Sequence, residues 1–352
     1  MYAAFSATIS NWLTRNYKLF FRRISNMIID SHGHVTLPPE AYEYQAKLLA
    51  SRGYPVLKPP VISDELMEKH MRKHVDTMRE VGTDVQLLSP RPYSVMHSVK
   101  PARVVHMWTR YVNDLIAQQC RMYPDLFRGV AALPQTPGTD IRDCIPELER
   151  CVKELGFVGV QLNPDPTEGE GPEPKGLGDP YWYPLYEKLV ELDIPALVHS
   201  ASCCSERESY TLHFINEGSI AIMSLIDNKI FDVFPKLKIV ISHSGGAIPY
   251  HMGRFRAWRI RQGAEESFDT SMKRLYFETC NYSKDSLELL LKVIGPDNVL
   301  FGTENPGTGS AKDPITGRMM DDLKPVIESI EFLSDEDKKK VFEGNARKLY
   351  RI

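Results

Sequence analysis

An α/β fold, a single (β/α)8 or TIM barrel with a C-terminal helical extension, is predicted for residues 27–352 by three observations. Eight short β-branched or apolar runs alternate with longer amphipathic stretches. The runs are apolar throughout instead of at every second residue, as in a parallel sheet covered by helices. Histidines and an acid recur directly after several of them, at the end where a barrel opens its mouth. A doubly wound open sheet is the alternative, but the Gly-rich phosphate loop it more often carries after its first strand is missing.

The strand candidates, in order, are Met27–Asp30, Asp84–Leu88, Phe127–Leu133, Phe157–Leu162, Ala196–His199, Lys238–Ser242, Leu275–Thr279 and Asn298–Gly302. Each is a stretch of β-branched or aromatic residues flanked by turn formers. Between them the 3.6-residue period predicts helices at Ser63–Val81, Ala102–Tyr123, Cys144–Leu155, Trp182–Leu192, Leu212–Asp227, Pro249–Gln262 and Ser286–Val293. Two more helices close the chain near Asp321–Phe332 and Asp335–Leu349, the last capped by Ser334 with acids in its first turn. Val35–Pro60 and Asn163–Tyr181 are too long for simple turns. In a barrel such loops rim the catalytic face.

The chain has 352 residues, of which 43 are basic and 46 acidic, a net charge of −3. That balance gives no electrostatic case for binding nucleic acid. Six cysteines are too few for a disulfide scaffold in a chain able to hide roughly three quarters of its surface without one. No apolar run reaches the roughly 18 residues of a membrane span. The first 26 residues stand apart: Arg15, Lys18, Arg22 and Arg23 are their only charges. This N-terminal extension reads as a tail or an early start codon ahead of Met27, in preference to a transit-like segment. The expected location is the cytoplasm, or the mitochondrion if the extension is a presequence.

Asp30-Ser31-His32-Gly33-His34 ends the first strand. Alternation puts residues two apart on one side, so His32 and His34 can converge on one metal ion. His199 follows the fifth strand, His243 the sixth and Glu304 the eighth. Any one of these could be a hydrogen-bonded core residue. Together, at strand ends, they are hard to explain as filler, because an unpartnered buried polar group costs about 1–3 kcal/mol. His70 and His74 lie four apart in EKHMRKHVD and read as a solvated helix face. His97, after the second strand, is placed near the pocket.

Those residues sit in longer runs: MIIDSHGH, VHSAS, ISHSGGAIPYHMGRFR, LYFETCNY, and VLFGTENPG followed by EGNARKLY. Together they resemble the amidohydrolase superfamily. Within it the chain is similar to the aminocarboxymuconate-semialdehyde decarboxylase branch, and most to its 4-oxalomesaconate hydratase group. The resemblance spans nearly all of Met27–Ile352, taking in SPR at 89–91, ALPQTPG at 132–138, LNPDP at 162–166 and DPITG at 313–317. It implies a barrel with one divalent metal, zinc expected, held by His32, His34, His199 and Glu304. Many superfamily members have Asp at the last position; Glu304 matches the hydratase group. No lysine follows the fourth strand, so the carboxylated-lysine bridge of binuclear members is not available.

The expected activity is metal-dependent addition of water to an unsaturated oxo-polycarboxylate from aromatic ring cleavage. Nonoxidative decarboxylation of an aromatic or muconate-type acid is the alternative, and metal-dependent hydrolysis the third. His243 is the expected acid/base, with Glu304 sharing proton handling. Arg91 is expected to clamp a carboxylate of the small acid substrate, with Asn163 and Ser200 donating hydrogen bonds. Arg254 in HMGRFR is read as a carboxylate anchor or a structural residue. A homodimer follows from the resemblance alone. The chain departs from the hydratase group at Val35, Ser244, Asn305 and Ser310, all on the substrate side, which would suit a less charged or differently shaped acid.

Overall fold

The computed structural model describes residues 27–171 and 174–352. The readings of residues 1–26 lie outside the described residues. Eight parallel strands run in sequence order around one sheet: β1 (Ile29–His34), β2 (Val85–Ser89), β3 (Phe127–Ala131), β4 (Gly159–Leu162), β5 (Ala196–Val198), β6 (Ile239–Ile241), β7 (Tyr276–Glu278) and β8 (Val299–Leu300). Every predicted strand is present. The ends of the sheet meet where the Ser31 amide donates to the Phe301 carbonyl at 2.8 Å and the Glu304 amide to the His32 carbonyl at 2.6 Å. The predicted barrel is therefore nearly closed, by contacts between its first strand and the segment that follows its last.

The first helices, α1 (Pro39–Ser51), α2 (Asp64–Val81) and α3 (Ala102–Met122), cover β1 to β3. After these come α4 (Ile145–Lys153), α5 (Tyr183–Leu192), α6 (Tyr210–Asp227) and the short α7 (Ile230–Val233). Next are α8 (Met252–Arg261), α9 (Phe268–Met272) and α10 (Lys284–Val293), and the chain closes with α11 (Lys324–Glu328), α12 (Asp335–Lys339) and α13 (Asn345–Tyr350). Ser63 caps α2, accepting from the Leu66 amide. Ser334 and Asp337 cap α12 reciprocally. No helix among the described residues is long and apolar enough to cross a membrane.

Three differences from the sequence reading have physical causes. α1 lies inside Val35–Pro60, the segment read as a long loop. Pro39 sits in the first turn, where its missing N–H costs nothing, and Ala41, Tyr44 and Leu48 are buried at helical spacing. The helix predicted over Asp335–Leu349 is interrupted by a π-helical stretch at Lys340–Gly344. His74 is buried, contrary to the solvated reading. Its Nδ1 meets Thr36 Oγ1 at 3.1 Å and its Nε2 meets Gln86 Oε1 at 2.7 Å. Burial pushes its pKa down to about 4, so it serves as a neutral core histidine.

The inner end of the barrel is filled by Ile29, Val85, Leu87, Val130, Leu197, Val240 and Leu300, packed against Ala346, Leu349 and Tyr350 of α13. The C-terminal helix thus stoppers the end at which the strands begin. Each such aliphatic chain contributes roughly 1.5–3 kcal/mol by leaving water. The opposite end carries the strand C-termini and the histidines.

Candidate metal centre

β1 delivers His32 and His34. A bulge sits between them and β2, since Asp30 pairs with Gln86 but Gly33 pairs with Leu88, and such an extra residue re-aims side chains. Asp30 braces the turn: its Oδ1 accepts from the His32 and Thr303 amides at 3.1 and 3.0 Å, its Oδ2 from Thr303 Oγ1 at 2.6 Å. Burial pushes its pKa up to about 7.

The structure brings His32, His34, His199, His243 and Glu304 together at the mouth. His32, His199, His243 and Glu304 each offer a donor atom within 4.8 Å of all the others. His34 Nε2 stands 3.9 Å from Glu304 Oε1, as does His199 Nε2, with His243 Nε2 at 3.5 Å. The tightest quartet therefore holds His243 where the resemblance implied His34, and His34 flanks it.

The outer ring nitrogens explain the orientation. His199 Nδ1 donates to the Ser200 carbonyl at 2.7 Å. Ser89 Oγ gives its proton to the Gly33 carbonyl, so His34 Nδ1 is the donor in its 3.0 Å contact with that hydroxyl. His32 Nδ1 lies 3.3 Å from Glu278 Oε1. With Nδ1 hydrogen-bonded, the His34 and His199 rings turn an Nε2 lone pair inward, while His32 Nδ1 faces Glu278 without a hydrogen bond. None of the three Nε2 atoms has a hydrogen-bond partner among the described residues. Three buried, donorless imidazole nitrogens beside a carboxylate fit a divalent cation by the chemistry of the donor set.

The charges agree. Burial holds His32 and His199 well below the usual imidazole range, and His34 below it. Burial alone would raise Glu304, but the hydrogen bond from His243 and the nearness of His34 hold it far down, as an anion. For His243, burial opposes protonation and the contacts with Glu304 outweigh it, so its pKa is raised. Glu304 Oε2 accepts from Tyr282 Oη at 2.7 Å.

The loop after β6 needs glycine. His243, Ser244, Gly245 and Gly246 all have positive φ, and a Cβ on Gly246 would fall 2.4 Å from the Ile215 carbonyl oxygen. This tight turn aims His243 inward, while Phe214 of α6 stacks on its ring with centroids 5.4 Å apart.

Of the expected substrate contacts, Arg91 lies at the rim. It spends Nε on the Val35 carbonyl and one terminal nitrogen on the Pro306 carbonyl. Ser200 Oγ is buried with no partner among the described residues. Asn163 is fully buried, with Nδ2 2.8 Å from His97 Nδ1 and Oδ1 accepting from the Asp165 amide. His97 in turn spends Nε2 on the Leu133 carbonyl. Both residues tie neighbouring loops together.

Sequence reasoning missed Glu278 at the end of β7. Fully buried, it accepts from the His243 and Cys280 amides and backs His32. Burial pushes its pKa up to about 7. The signal was an acid ending an apolar strand in LYFETC. Gly302 makes room for it, since a Cβ there would meet Glu278 Oε2 at 2.7 Å.

Comparison with known proteins agrees with the resemblance read from the motifs. The amidohydrolase family model matches residues 29–352. A 2-keto-4-carboxy-3-hexenedioate hydratase from Sphingobium sp. is 40% identical over 332 residues, covering 92% of this chain and 96% of that protein. The crystal structure of a 4-oxalomesaconate hydratase from Rhodopseudomonas palustris superposes with a TM-score of 0.83 at 38% identity, over 92% of this chain and 96% of that one. A dihydroxybenzoic acid decarboxylase from Polaromonas sp., solved with manganese and 2-nitroresorcinol, gives a TM-score of 0.71 at 26% identity, over 93% and 97%. The chain belongs to the amidohydrolase family.

Proposed function

We propose that the protein is a metal-dependent hydro-lyase that adds water across a carbon–carbon double bond of an unsaturated oxo-polycarboxylate. The observation that carries this reading is the 40% likeness to a hydratase over nearly the whole of both chains. Glu304, the longer acid at the last ligand position, supports the same branch.

His32, His34, His199 and Glu304 would hold one divalent ion, with His243 close enough to share it. Zinc is the ion proposed, since imidazole and carboxylate suit it; manganese is the ion in the Polaromonas relative. When bound, such an ion supplies positive charge that lowers the pKa of water and polarises a conjugated carbonyl. His243 exchanges the proton at Nε2, passing between neutral and charged forms against Glu304. In the net reaction the water oxygen bonds to one alkene carbon and a proton to its neighbour, so base and acid are each needed once. Tyr282 fixes the carboxylate, and Phe214 shields the outer face of the imidazole from water. Arg91 keeps guanidinium donors for a substrate carboxylate, and Ser200 Oγ offers one more hydrogen bond.

Nonoxidative decarboxylation is the second reading, favoured by the likeness to the Polaromonas decarboxylase. Purified enzyme incubated with ring-fission acids and with hydroxybenzoates separates the two. Hydration removes conjugated-diene absorbance without gas. Release of CO2 with no water added to the product overturns the hydratase reading.

A further inference from the structure

A second group of titratable side chains lies outside the mouth, where the loop after β4 meets the start of α6. Asp165, His213 and Glu217 each offer a donor atom within 4.8 Å of the other two. Their acids alone would carry no argument; the imidazole does. His213 is 2% exposed. Its Nδ1 lies 2.8 Å from Glu208 Oε2, and its Nε2 is buried with no partner among the described residues. A histidine backed by a carboxylate on one nitrogen, with the other bare and aimed among carboxylates, is the arrangement that orients a metal ligand.

Asp165 is preset for the same task. The Thr167 amide and hydroxyl occupy Oδ1 and the Gly169 amide occupies Oδ2 at 2.8 Å, which fixes the carboxylate and leaves one of its roughly four acceptor positions open. Glu217 follows His213 by four residues on α6, so both project from one helix face. Burial first, then the charges of Asp165 and Glu208, push Glu217 up to about 7. Asp165 and Glu217 also line a cavity of about 360 Å³, which gives solute a way in.

We propose that Asp165, His213 and Glu217 form a second divalent-cation site, separate from the centre at the mouth and oriented by Glu208. One imidazole with two carboxylates selects an ion of the zinc or manganese class over calcium or magnesium, which prefer all-oxygen sites. The ion ties the loop after β4 to the first turns of α6, one residue from Phe214, which packs on His199 and His243. Its role is to hold the wall of the pocket in place.

The test counts zinc on the full chain. Chelator-stripped enzyme is dialysed against micromolar ZnCl2 and bound metal is measured by elemental analysis. His213→Gln is expected to bind one ion per chain fewer than the unaltered protein, whatever the occupancy at the mouth; no loss overturns the proposal. Circular dichroism checks that this variant is folded. If it is not, Glu217→Gln decides: a zinc Kd for this site weakened at least about tenfold supports the site, and an unchanged affinity overturns it. A His199→Ala control reports the mouth separately, so failure of one site is distinguishable from failure of the other.

Discussion

The two ends of this barrel are made from the same strands and obey opposite rules. At the inner end Ile29, Leu197, Val240 and Leu300 pack on Leu349 and on the ring of Tyr350, whose hydroxyl is the one polar side-chain atom of that cluster. A few residues further along the same strands stand His32, His199, His243 and Glu304, buried just as deeply. One end gains free energy by excluding water. The other leaves four imidazole nitrogens without partners among the described residues, an arrangement that lowers stability unless a cation compensates it. The contrast shows how stability and reactivity share eight strands without competing: each strand changes character within one or two turns of the pleat.

The sharpest way to break the comparison is at the polar end. His32→Ala is expected to lose metal and activity together, with turnover falling roughly a thousandfold, a barrier increase of about 4 kcal/mol. Turnover that persists in metal-free variant protein would dissociate this histidine from the chemistry. The apolar end should respond in the other currency. Tyr350→Ala opens a cavity against β4 and is expected to cost about 3–5 kcal/mol in urea unfolding while metal affinity stays the same. A variant with wild-type stability would mean α13 is no stopper. A smaller effect sharpens the boundary between the ends. Glu278→Gln keeps shape and removes the charge behind His32, so affinity measured against a competing chelator should weaken about 10–100-fold. Unaltered affinity would show that Glu278 serves only the backbone of the loops.

Much of this was legible in the sequence, for reasons that differ by region. The strands announced themselves because a parallel sheet buries both faces, so composition alone marks them. The histidines at strand ends were legible because so few other reasons exist for a polar group to interrupt such runs. What escaped depended on contacts between distant segments. His74 looked solvated because its helix neighbours are charged; that Gln86 and Thr36 would enclose it is a tertiary fact. That the Asn163 amide would meet the ring of His97, 66 residues away, is equally a tertiary fact. Glu278 sat in a motif already noticed, yet its partnership with His32 spans the barrel and no local pattern encodes it. α1 fell in a stretch read as a loop, although Pro39 in its first turn works as a start signal.

The seam between β1 and β8 has a consequence for how the protein comes into being on the ribosome. Ser31 meets Phe301, and the His32 carbonyl receives the amide of Glu304. Ligands from the two extremes of the folded chain are therefore neighbours, and such distant pairings form late because loop closure must precede them. A nascent chain that has not yet exposed residue 304 holds the histidines without their carboxylate, so the donor set is completed only when the two extremes of the barrel meet.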